Sequence, residues 1–445
     1  MRLLAKFLKR VQSSKIMKSV FNFLNVSSIA NRTFDTLYNP VFRRVWSIGA
    51  FYYTYRATEL AVLSWFVLEL TDSELQVALI GVSRIAPMFL FGLVSGGLAD
   101  RFTRHWLMRG VQSINFLAGV LMVIALYSGI ATAIHAYAMI FITGTTWSID
   151  YAARRALLGD LFEGKDLTSA TALDSGLVTG SNLIGPLLGT ILIRFVDFGG
   201  AYVGISFMMA SALLLVLSMR VNTPQAYSSK AQSVLSQLSS SIELMRTNRA
   251  VLGTVLLTAS FNFFGWPYVQ MVPVIARDIL NTGEIQYGLL LSSLGFGAMI
   301  GALLIASIKP IHKGNVYSLG AALLMAAAIA YAWSPWYWLA IFWMFIAGIG
   351  LGGFAGMQPV LALEAVGSEL RGRAMGAIVL GIGFQAPGMF VMGAIGEIIG
   401  PRESVTYVGG VGLVSIVILR QIFPALADKT KRLTDGTETS THFKK

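Results

Sequence analysis

The stretch Gly96-Gly97-Leu98-Ala99-Asp100-Arg101-Phe102-Thr103-Arg104-His105 decides the fold class of this chain. It carries a glycine pair, one acidic residue, two arginines and a histidine, and it lies directly between two long apolar runs. Apolar runs of about 20 residues are long enough to cross a membrane as helices. The charged stretch is therefore predicted to be a short loop at a membrane surface that joins two transmembrane helices.

The whole chain has the composition of a membrane protein. Its 445 residues are 55% hydrophobic and only 13% charged, with a mean hydropathy of +0.67, whereas about a quarter of the residues in an average soluble domain are charged. The apolar runs are too long and continuous for barrel strands, so helices are needed to satisfy the backbone hydrogen bonds within lipid. We predict an all-α membrane protein with twelve transmembrane helices, near residues 45–70, 75–98, 106–129, 134–157, 169–194, 199–219, 250–275, 286–308, 315–334, 337–361, 374–399 and 404–423.

Lysine and arginine predict the orientation of these helices. An even number of spans places both termini on one side, and 29 of the 34 Lys and Arg residues fall in segments, loops and span ends on that side. Only Arg194, Arg277 and Arg402 fall on the other side, while Arg56 and Arg84 fall within spans. Because cytoplasmic loops are rich in Lys and Arg, both termini are predicted to be cytoplasmic.

The composition of the chain also excludes several function classes. The net charge of +12 follows from the topological asymmetry, so it does not predict a nucleic-acid partner. The chain has no cysteine and four scattered histidines, which excludes disulfides and thiolate ligands and predicts no metal site. The glycine-rich stretch at 350–356 lies inside an apolar span and is not a phosphate-binding loop. We therefore predict no cofactor and no enzymatic activity.

The polarity of the chain divides it into five segments. Residues 1–44 carry nine Lys or Arg residues and no acid before Asp35, with apolar residues on one helical face. This pattern favours a helix lying on anionic lipid headgroups, although an organelle transit peptide or a disordered basic tail has a similar composition. After this segment we predict a six-helix bundle at 45–219, a cytoplasmic linker with an amphipathic helix at 220–249, a second bundle at 250–423 and a cytoplasmic tail at 424–445.

Several motifs resemble those of one superfamily of transporters. The pattern Gly-x-Leu-Ala-Asp-Arg-x-x-Arg-basic at 96–105 resembles the loop between the second and third helices of the major facilitator superfamily, except that Thr103 stands where glycine is usual. Other stretches are similar to the third drug:proton antiporter group, which includes macrolide-efflux proteins and the enterobactin exporter. These stretches are 153–161, 166–167, 185–189, 262–265, 273–278 and 370–376.

The resemblance covers about residues 40–425 and has several implications. It implies two pseudo-symmetric six-helix bundles with a central cavity, a monomer, and a location in the bacterial inner (cytoplasmic) membrane. It also implies proton-driven export of a drug or a siderophore. A six-plus-six duplication is the kind of internal repeat on which alternating-access transporters are built.

The resemblance gives the charged loop a gating role, since in the family this loop locks the two bundles in the outward-facing state. The alternative is that its charges only fix the topology. Asp174, one turn into span five, is predicted either to close the cytoplasmic mouth with Arg371 or Arg373, or to be an acid favoured by the helix dipole. The other predicted gating residues are Gly96, Asp100, Arg101, Arg104, Asp150, Arg154 and Arg155.

A second motif lies in span five. Gly185, Pro186 and Gly189 resemble the antiporter motif Gly-x-x-x-Gly-Pro-x-x-Gly-Gly, with Ser181 and Thr190 in place of the two flanking glycines. Small residues let helices approach closely, and proline permits a bend. In the family this motif seals the bundle against proton leak, whereas ordinary close packing is the alternative interpretation.

Three charged residues lie near the middle of their spans: Arg56 and Glu59 in span one and Arg84 in span two. Insertion of a charged residue at the centre of a transmembrane helix costs at least about 2.5 kcal/mol on translocon-insertion scales. Glu59 is predicted to carry protons or to anchor substrate, because a carboxyl group beside arginines is able to alternate between an ion pair and a protonated acid. The alternative is a static ion pair with Arg56, one turn away. An arginine left unpaired would attract an anionic substrate.

The second half carries no charge in mid-span, so its cavity residues are predicted to be aromatic and amide side chains. Such a lining suits large amphipathic ligands. Pro267 and Pro387 predict bends near this cavity. The predicted cavity-lining residues are Tyr53, Asn262, Phe263, Trp266, Tyr268, Gln358 and Gln385.

Together, these features predict a secondary active exporter of a siderophore or an amphipathic drug-like compound, working by proton-coupled antiport. The predicted partners are a small-molecule substrate, protons and the lipid bilayer. One alternative is a carrier for another cargo, such as a lipid flippase or a metabolite importer. The other is a transport-inactive membrane receptor or scaffold, which the buried charges argue against because they are costly unless used.

Overall fold

The structure is a computed structural model that describes residues 35–101, 103–219, 234–308, 312–423 and 426. The described residues contain helices and no strand. Most of the predicted basic N-terminal segment and most of the predicted tail lie outside the described residues. The long helices are α1 Pro40–Thr71, α2 Glu74–Arg101, α3 Arg104–Tyr127, α4 Ala133–Leu161, α5 Gly164–Leu217, α6 Val234–Thr247, α7 Arg249–Ile279, α8 Glu284–Ile308, α9 Lys313–Ala332, α10 Tyr337–Glu364, α11 Arg371–Ile399 and α12 Pro401–Ile422.

These helices confirm the prediction of a twelve-span membrane protein. Eight helical segments of the described chain are long and apolar enough to cross a membrane. One of them is α5, which contributes two spans because its backbone breaks at Val196 and Asp197, where Asp197 has a φ of 60°. The Asp197 side chain then accepts a hydrogen bond from the N–H of Gly200 (2.9 Å) at the start of the second arm. The remaining spans are α1, α2 and α4, which carry charged residues along their length.

Local sequence signals set the ends and bends of the helices. The side chain of Asn39 accepts hydrogen bonds from the N–H groups of Val41 and Phe42, so α1 begins at Pro40. Both predicted bends fall where the regular α-helix is interrupted. In α7 the α-helix ends at Ser260 and changes to a π-helix and then a 3₁₀-helix around Pro267. In α11 the regular helix is interrupted at Phe384, three residues before Pro387.

The helices pack as two groups, α1–α5 and α7–α12. The groups meet where α5 packs on α8 and where α2 packs on α11. Glycines bring the backbones together at both contacts: a Cβ atom at Gly295 would lie 2.9 Å from the carbonyl oxygen of Asn182, and one at Gly393 would lie 2.4 Å from the Cβ of Ala78. This arrangement confirms the predicted fold of two six-helix bundles, while the exact domain boundaries stay a prediction.

The linker helix α6 belongs structurally to the second group. Its Ser241 hydroxyl donates to the carbonyl oxygen of Arg373 at the start of α11 (3.1 Å). Its Leu244 packs in an apolar cluster with Val251 of α7 and Ala374 of α11. A helix is therefore present in this segment, with Leu244 covered by the second half and Ile242 40% exposed. That the segment is a cytoplasmic amphipathic linker stays a prediction.

Candidate functional site

Glu59 is completely buried in the middle of the first group of helices. Two hydroxyl groups from other helices donate to its carboxyl oxygens: Thr143 of α4 to Oε2 (2.8 Å) and Tyr202 of α5 to Oε1 (3.1 Å). Glu59 forms no ion pair among the described residues. The predicted direct pair with Arg56 is therefore not present in this conformation, because hydroxyl donors occupy the carboxyl group instead.

Arg56 and Arg84 lie beside this carboxyl group. Arg56 is 7% exposed and donates to the carbonyl oxygen of Thr143 (2.7 Å), and its guanidinium lies 5.0 Å from the centre of the Trp147 ring. Arg84 is half-buried and donates to the carbonyl oxygen of Arg56 (3.1 Å). Gly144 makes room for this arrangement, since a Cβ atom there would lie 2.5 Å from the carbonyl oxygen of Arg84. The three predicted charges thus form one site between α1, α2 and α4.

A chain of buried polar groups extends from this site to α3. Thr146 donates to the side-chain oxygen of Asn115 (2.7 Å), and the amide of Asn115 donates to the hydroxyl of Tyr55 on α1 (2.7 Å). Buried polar groups in an apolar medium are costly unless they are hydrogen-bonded. The network therefore fixes the relative positions of α1, α3 and α4 around Glu59.

Arg154 forms the centre of a second buried cluster in the first group. It pairs with Asp150 (2.9 Å) on its own helix and lies 3.9 Å from Asp174 of α5. It also donates to the carbonyl oxygen of Val45 on α1 (2.9 Å). Tyr53 completes the cluster by donating to Asp174 (3.3 Å). Groups on α1, α4 and α5 are thus bound by one guanidinium.

This cluster differs from the predicted gate. Asp174 contacts Arg154 and Tyr53, whereas Arg371 and Arg373 are exposed at the start of α11, so the predicted closure by Asp174 with either arginine is not present in this conformation. Tyr53, which was expected to line a cavity, is buried against the same cluster. The prediction missed the pairing because α4 and α5 are neighbours in space, which the sequence spacing does not reveal.

The remaining gating candidates are placed as follows. Arg104 pairs with Asp160 at the end of α4 (3.1 Å), and the guanidinium of Arg155 lies 5.2 Å from the ring centre of Tyr151. The backbone of α2 is helical to Arg101. The surroundings of Gly96, Asp100 and Arg101 lie outside the described part of the structure.

The glycines and proline of the predicted antiporter-like motif lie where α5 meets α1 and α8. A Cβ atom at Gly185 would lie 2.5 Å from the Cβ of Ala57, and one at Gly189 would lie 3.0 Å from the carbonyl oxygen of Thr58. Thr58 in turn donates to the carbonyl oxygen of Gly185 (3.0 Å). Two further contacts extend the seam: Ser181 is hydrogen-bonded to Thr54 of α1 (3.1 Å), and Pro186 approaches Gly288 of α8.

The candidates of the second half lie on α7, α10 and α11. Asn262 donates to the carbonyl oxygen of Thr258 (2.9 Å), and Gln358 donates to the hydroxyl of the same threonine (3.3 Å). Tyr268 and Gln385 are buried, and the hydroxyl of Tyr268 has no hydrogen-bond partner among the described residues. Phe263 and Trp266 are half-buried. These residues thus lie on three helices of the second group.

A buried aromatic stack in the second half was not predicted. The rings of Phe261 and Phe354 are stacked with centres 3.7 Å apart, and Tyr317 stacks on Phe354 at 4.9 Å. The hydroxyl of Tyr317 is hydrogen-bonded to Thr258 (2.6 Å). Aromatic residues are common in membrane helices, so the sequence contains no signal that distinguishes these three.

Polar contacts join the two groups of helices at one end of the molecule. Arg277 at the end of α7 pairs with Asp72 and donates to the carbonyl oxygen of Leu68 (3.1 Å). Glu397 at the end of α11 accepts from the hydroxyl of Ser73 (2.8 Å) and from the N–H of Leu75 (3.2 Å). The turn between α1 and α2 is therefore held from both sides by the second group. The Lys and Arg distribution predicts that this end is extracytoplasmic.

The sequence is similar to one family along most of its length. The family described as transmembrane secretion effectors, a branch of the major facilitator superfamily, matches residues 31–435. This match confirms the superfamily that the motifs resemble, and with it a transporter rather than an enzyme.

Individual relatives are bacterial efflux-type proteins. The chain is 23% identical to the staphyloferrin A transporter of Staphylococcus aureus over 60% of this chain and 67% of that protein. It is 25% identical to the chloramphenicol resistance protein CraA of Acinetobacter baumannii over 53% of this chain and 55% of that protein. It is 19% identical to macrolide efflux protein A of Streptococcus pyogenes over 71% of this chain and 78% of that protein.

Solved structures of transporters share the fold. A bacterial homolog of the human lysosomal transporter Spinster, in an inward-facing and unoccupied conformation, superposes with a TM-score of 0.65 at 16% identity, covering 87% of this chain and 95% of the other. The nucleoside transporter NupG superposes with a TM-score of 0.68 at 15% identity, covering 87% and 99%. At these identities the likeness confirms the major facilitator fold alone.

Proposed function

Because the chain belongs to the transmembrane secretion effector family of the major facilitator superfamily, we propose that it exports a small molecule across the bacterial inner membrane by proton-coupled antiport. The single observation that carries this proposal is the buried site of Glu59, Arg56 and Arg84. Charged groups within a membrane protein are costly and normally mark a substrate or proton pathway.

Alternating access requires that the two bundles separate at one end while they close at the other. The contacts of Arg277 and Glu397 with the turn between α1 and α2 support a conformation that is closed at the predicted extracytoplasmic end. The exposure of Arg371 and Arg373 at the other end supports an inward-facing state. Outward opening would then need these extracytoplasmic contacts to break.

Glu59 is the proposed proton carrier. As a carboxylate it accepts two hydrogen bonds, from Thr143 and Tyr202. The protonated carboxyl group needs fewer hydrogen-bond donors than the carboxylate does. The hydroxyl of Thr143 is then able to donate to the carbonyl oxygen of Ile140 instead (3.3 Å). Proton uptake would therefore loosen the tie between α1 and α4, and a change in helix packing would follow.

The proposed cargo is a siderophore or an amphipathic drug-like compound. Half-buried aromatic side chains of α7, such as Phe263 and Trp266, support binding of a large amphipathic molecule. The names of the relatives, which include a siderophore transporter and two drug-efflux proteins, support the same range. We expect the chain to act as a monomer and its segment 1–44 to lie on anionic lipid headgroups.

Transport by inverted membrane vesicles tests this proposal. Vesicles that contain the full chain would be given a proton gradient and a panel of fluorescent dyes and iron-free siderophores. We expect accumulation that stops when the gradient is collapsed by a protonophore. Accumulation that continues after the proton gradient is collapsed would contradict proton coupling. If no compound accumulates, the result would favour the receptor or scaffold alternative.

A further inference from the structure

The buried site of the first bundle has more positive than negative charge. It contains the guanidinium groups of Arg56 and Arg84 and the carboxyl group of Glu59. Arg56 donates to the carbonyl oxygen of Thr143, and Arg84 donates to the carbonyl oxygen of Arg56. Neither arginine pairs with a carboxylate among the described residues. With Glu59 ionised, the site carries one excess positive charge.

The other buried acids of the first bundle lie in the adjacent Arg154 cluster. Asp150 and Asp174 are both held by Arg154, so that cluster has one more carboxyl group than guanidinium groups. In the second half, no acidic side chain of the described residues is buried. The surplus carboxyl group of the Arg154 cluster offsets the surplus guanidinium near Glu59 over the bundle as a whole, but no carboxyl group of the described residues pairs directly with Arg56 or Arg84.

A guanidinium group inside a membrane protein is costly when no carboxylate contacts it directly. Two carbonyl oxygens and the rings of Tyr52 and Trp147 stabilise the guanidinium groups in part, with ring distances of 5.8 Å and 5.0 Å from Arg56. A buried charge without an opposite charge remains unfavourable despite such contacts. A ligand with a negative group would remove this cost when it binds.

We propose that Arg56 and Arg84 form a subsite for an oxyanion of the cargo, a carboxylate above all. This inference rests on the proposed transport function and specifies the chemical class of its cargo. Guanidinium groups match the geometry of carboxylates with paired hydrogen bonds. Arg84 is the more exposed of the two arginines.

Two dyes with the same xanthene ring system but opposite charge provide the test. Binding of anionic fluorescein and of cationic rhodamine 6G to the purified full chain would be measured by fluorescence anisotropy. We expect wild type to bind fluorescein at least about tenfold more tightly than rhodamine 6G, because a hydrogen bond to a charged group contributes on this scale. Arg84→Gln is expected to abolish the preference and Arg84→Lys to retain part of it.

Arg109→Gln is the matched control, because Arg109 donates to the carbonyl oxygen of Met219 and lies over the ring of Trp106, outside the site. Folding of each variant would be verified by size-exclusion chromatography and thermal unfolding. Equal binding of the two dyes, a preference for rhodamine 6G, or no saturable binding of fluorescein would overturn the subsite. Gradient-driven export of rhodamine 6G by the same preparation would preserve the transport function while rejecting the anionic cargo.

Discussion

Arg56 and Glu59 lie one turn apart on α1, and both are hydrogen-bonded to the same residue of α4. Thr143 accepts from Arg56 through its carbonyl oxygen (2.7 Å) and donates to Glu59 through its hydroxyl (2.8 Å). The two charges are thus coupled through a neutral residue instead of forming an ion pair. A change in the protonation of Glu59 acts on Thr143 and, through it, on the helix that holds Arg56.

Thr143→Val tests this coupling, since valine keeps the shape and the carbonyl oxygen but lacks the hydroxyl. The lost hydrogen bond to a charged group is worth about 1.5–3 kcal/mol, so we expect gradient-driven transport to fall about tenfold or more. Thr143→Ser is expected to retain most of the activity. Thr145→Val is the control, because its hydroxyl bonds only within its own helix. Equal rates for Thr143→Val and Thr145→Val would show that the hydroxyl of Thr143 is not needed.

Arg154→Met is expected to destabilise the first bundle severely. It leaves Asp150 and Asp174 buried without their cation, and breaking a buried ion pair from one side costs about 3–5 kcal/mol. Thermal unfolding in detergent would measure the loss. Adding Asp150→Asn and Asp174→Asn to the same protein is expected to restore much of the stability. Arg155→Met, at the adjacent and less buried position, should change the thermal stability little. An equal loss of stability in Arg154→Met and Arg155→Met would contradict the role of Arg154 as the cation that holds both acids.

Gly185→Val tests the seam between α1, α5 and α8. A Cβ atom at this position lies 2.5 Å from the Cβ of Ala57, and overpacking of this kind costs about 1–3 kcal/mol. We expect lower thermal stability and a faster passive proton leak in liposomes. Gly180→Ala on the same helix is the control, since nothing lies within 4 Å of its added Cβ atom. An unchanged leak in a folded Gly185→Val protein would leave the motif with a packing role only.

A reversible cross-link tests the extracytoplasmic contacts. The chain has no cysteine, so Ser73→Cys and Glu397→Cys introduce the only thiols at a position where the native side chains are 2.8 Å apart. We expect a short bifunctional thiol reagent to join them and to stop transport, with recovery after a cleavable reagent is reduced. Each single-cysteine variant serves as control. Full transport by the cross-linked protein would contradict opening at this end.

The sequence predicted the spans and the charged part of the site for simple physical reasons. Apolar runs of membrane length have few alternatives to helices, and a charge such as Glu59 in mid-span is rare enough to stand out. Thr143 and Tyr202 could not be identified, because threonine and tyrosine are ordinary in membrane helices and only the packing of α4 and α5 brings them to Glu59.

Pairings between helices were the part that the sequence could not provide. One of the two predictions for Asp174 was a contact with Arg371 or Arg373, but the fold places it beside Arg154 and Tyr53. Which charged side chains pair depends on which faces of two helices meet, and the hydropathy pattern does not predict those faces. The same limit explains why the contacts of Glu397 with the turn between α1 and α2 were not predicted.

The central claim is that Glu59 couples transport to protons, and a comparison of exchange with uphill transport tests it most directly. Proteoliposomes with wild type, Glu59→Gln or Glu59→Asp would be assayed with one transported dye, first for exchange without a gradient and then for accumulation driven by a proton gradient. We predict that Glu59→Gln still exchanges the dye but no longer accumulates it, while Glu59→Asp retains part of the accumulation. Gradient-driven accumulation by Glu59→Gln equal to that of wild type would contradict the claim.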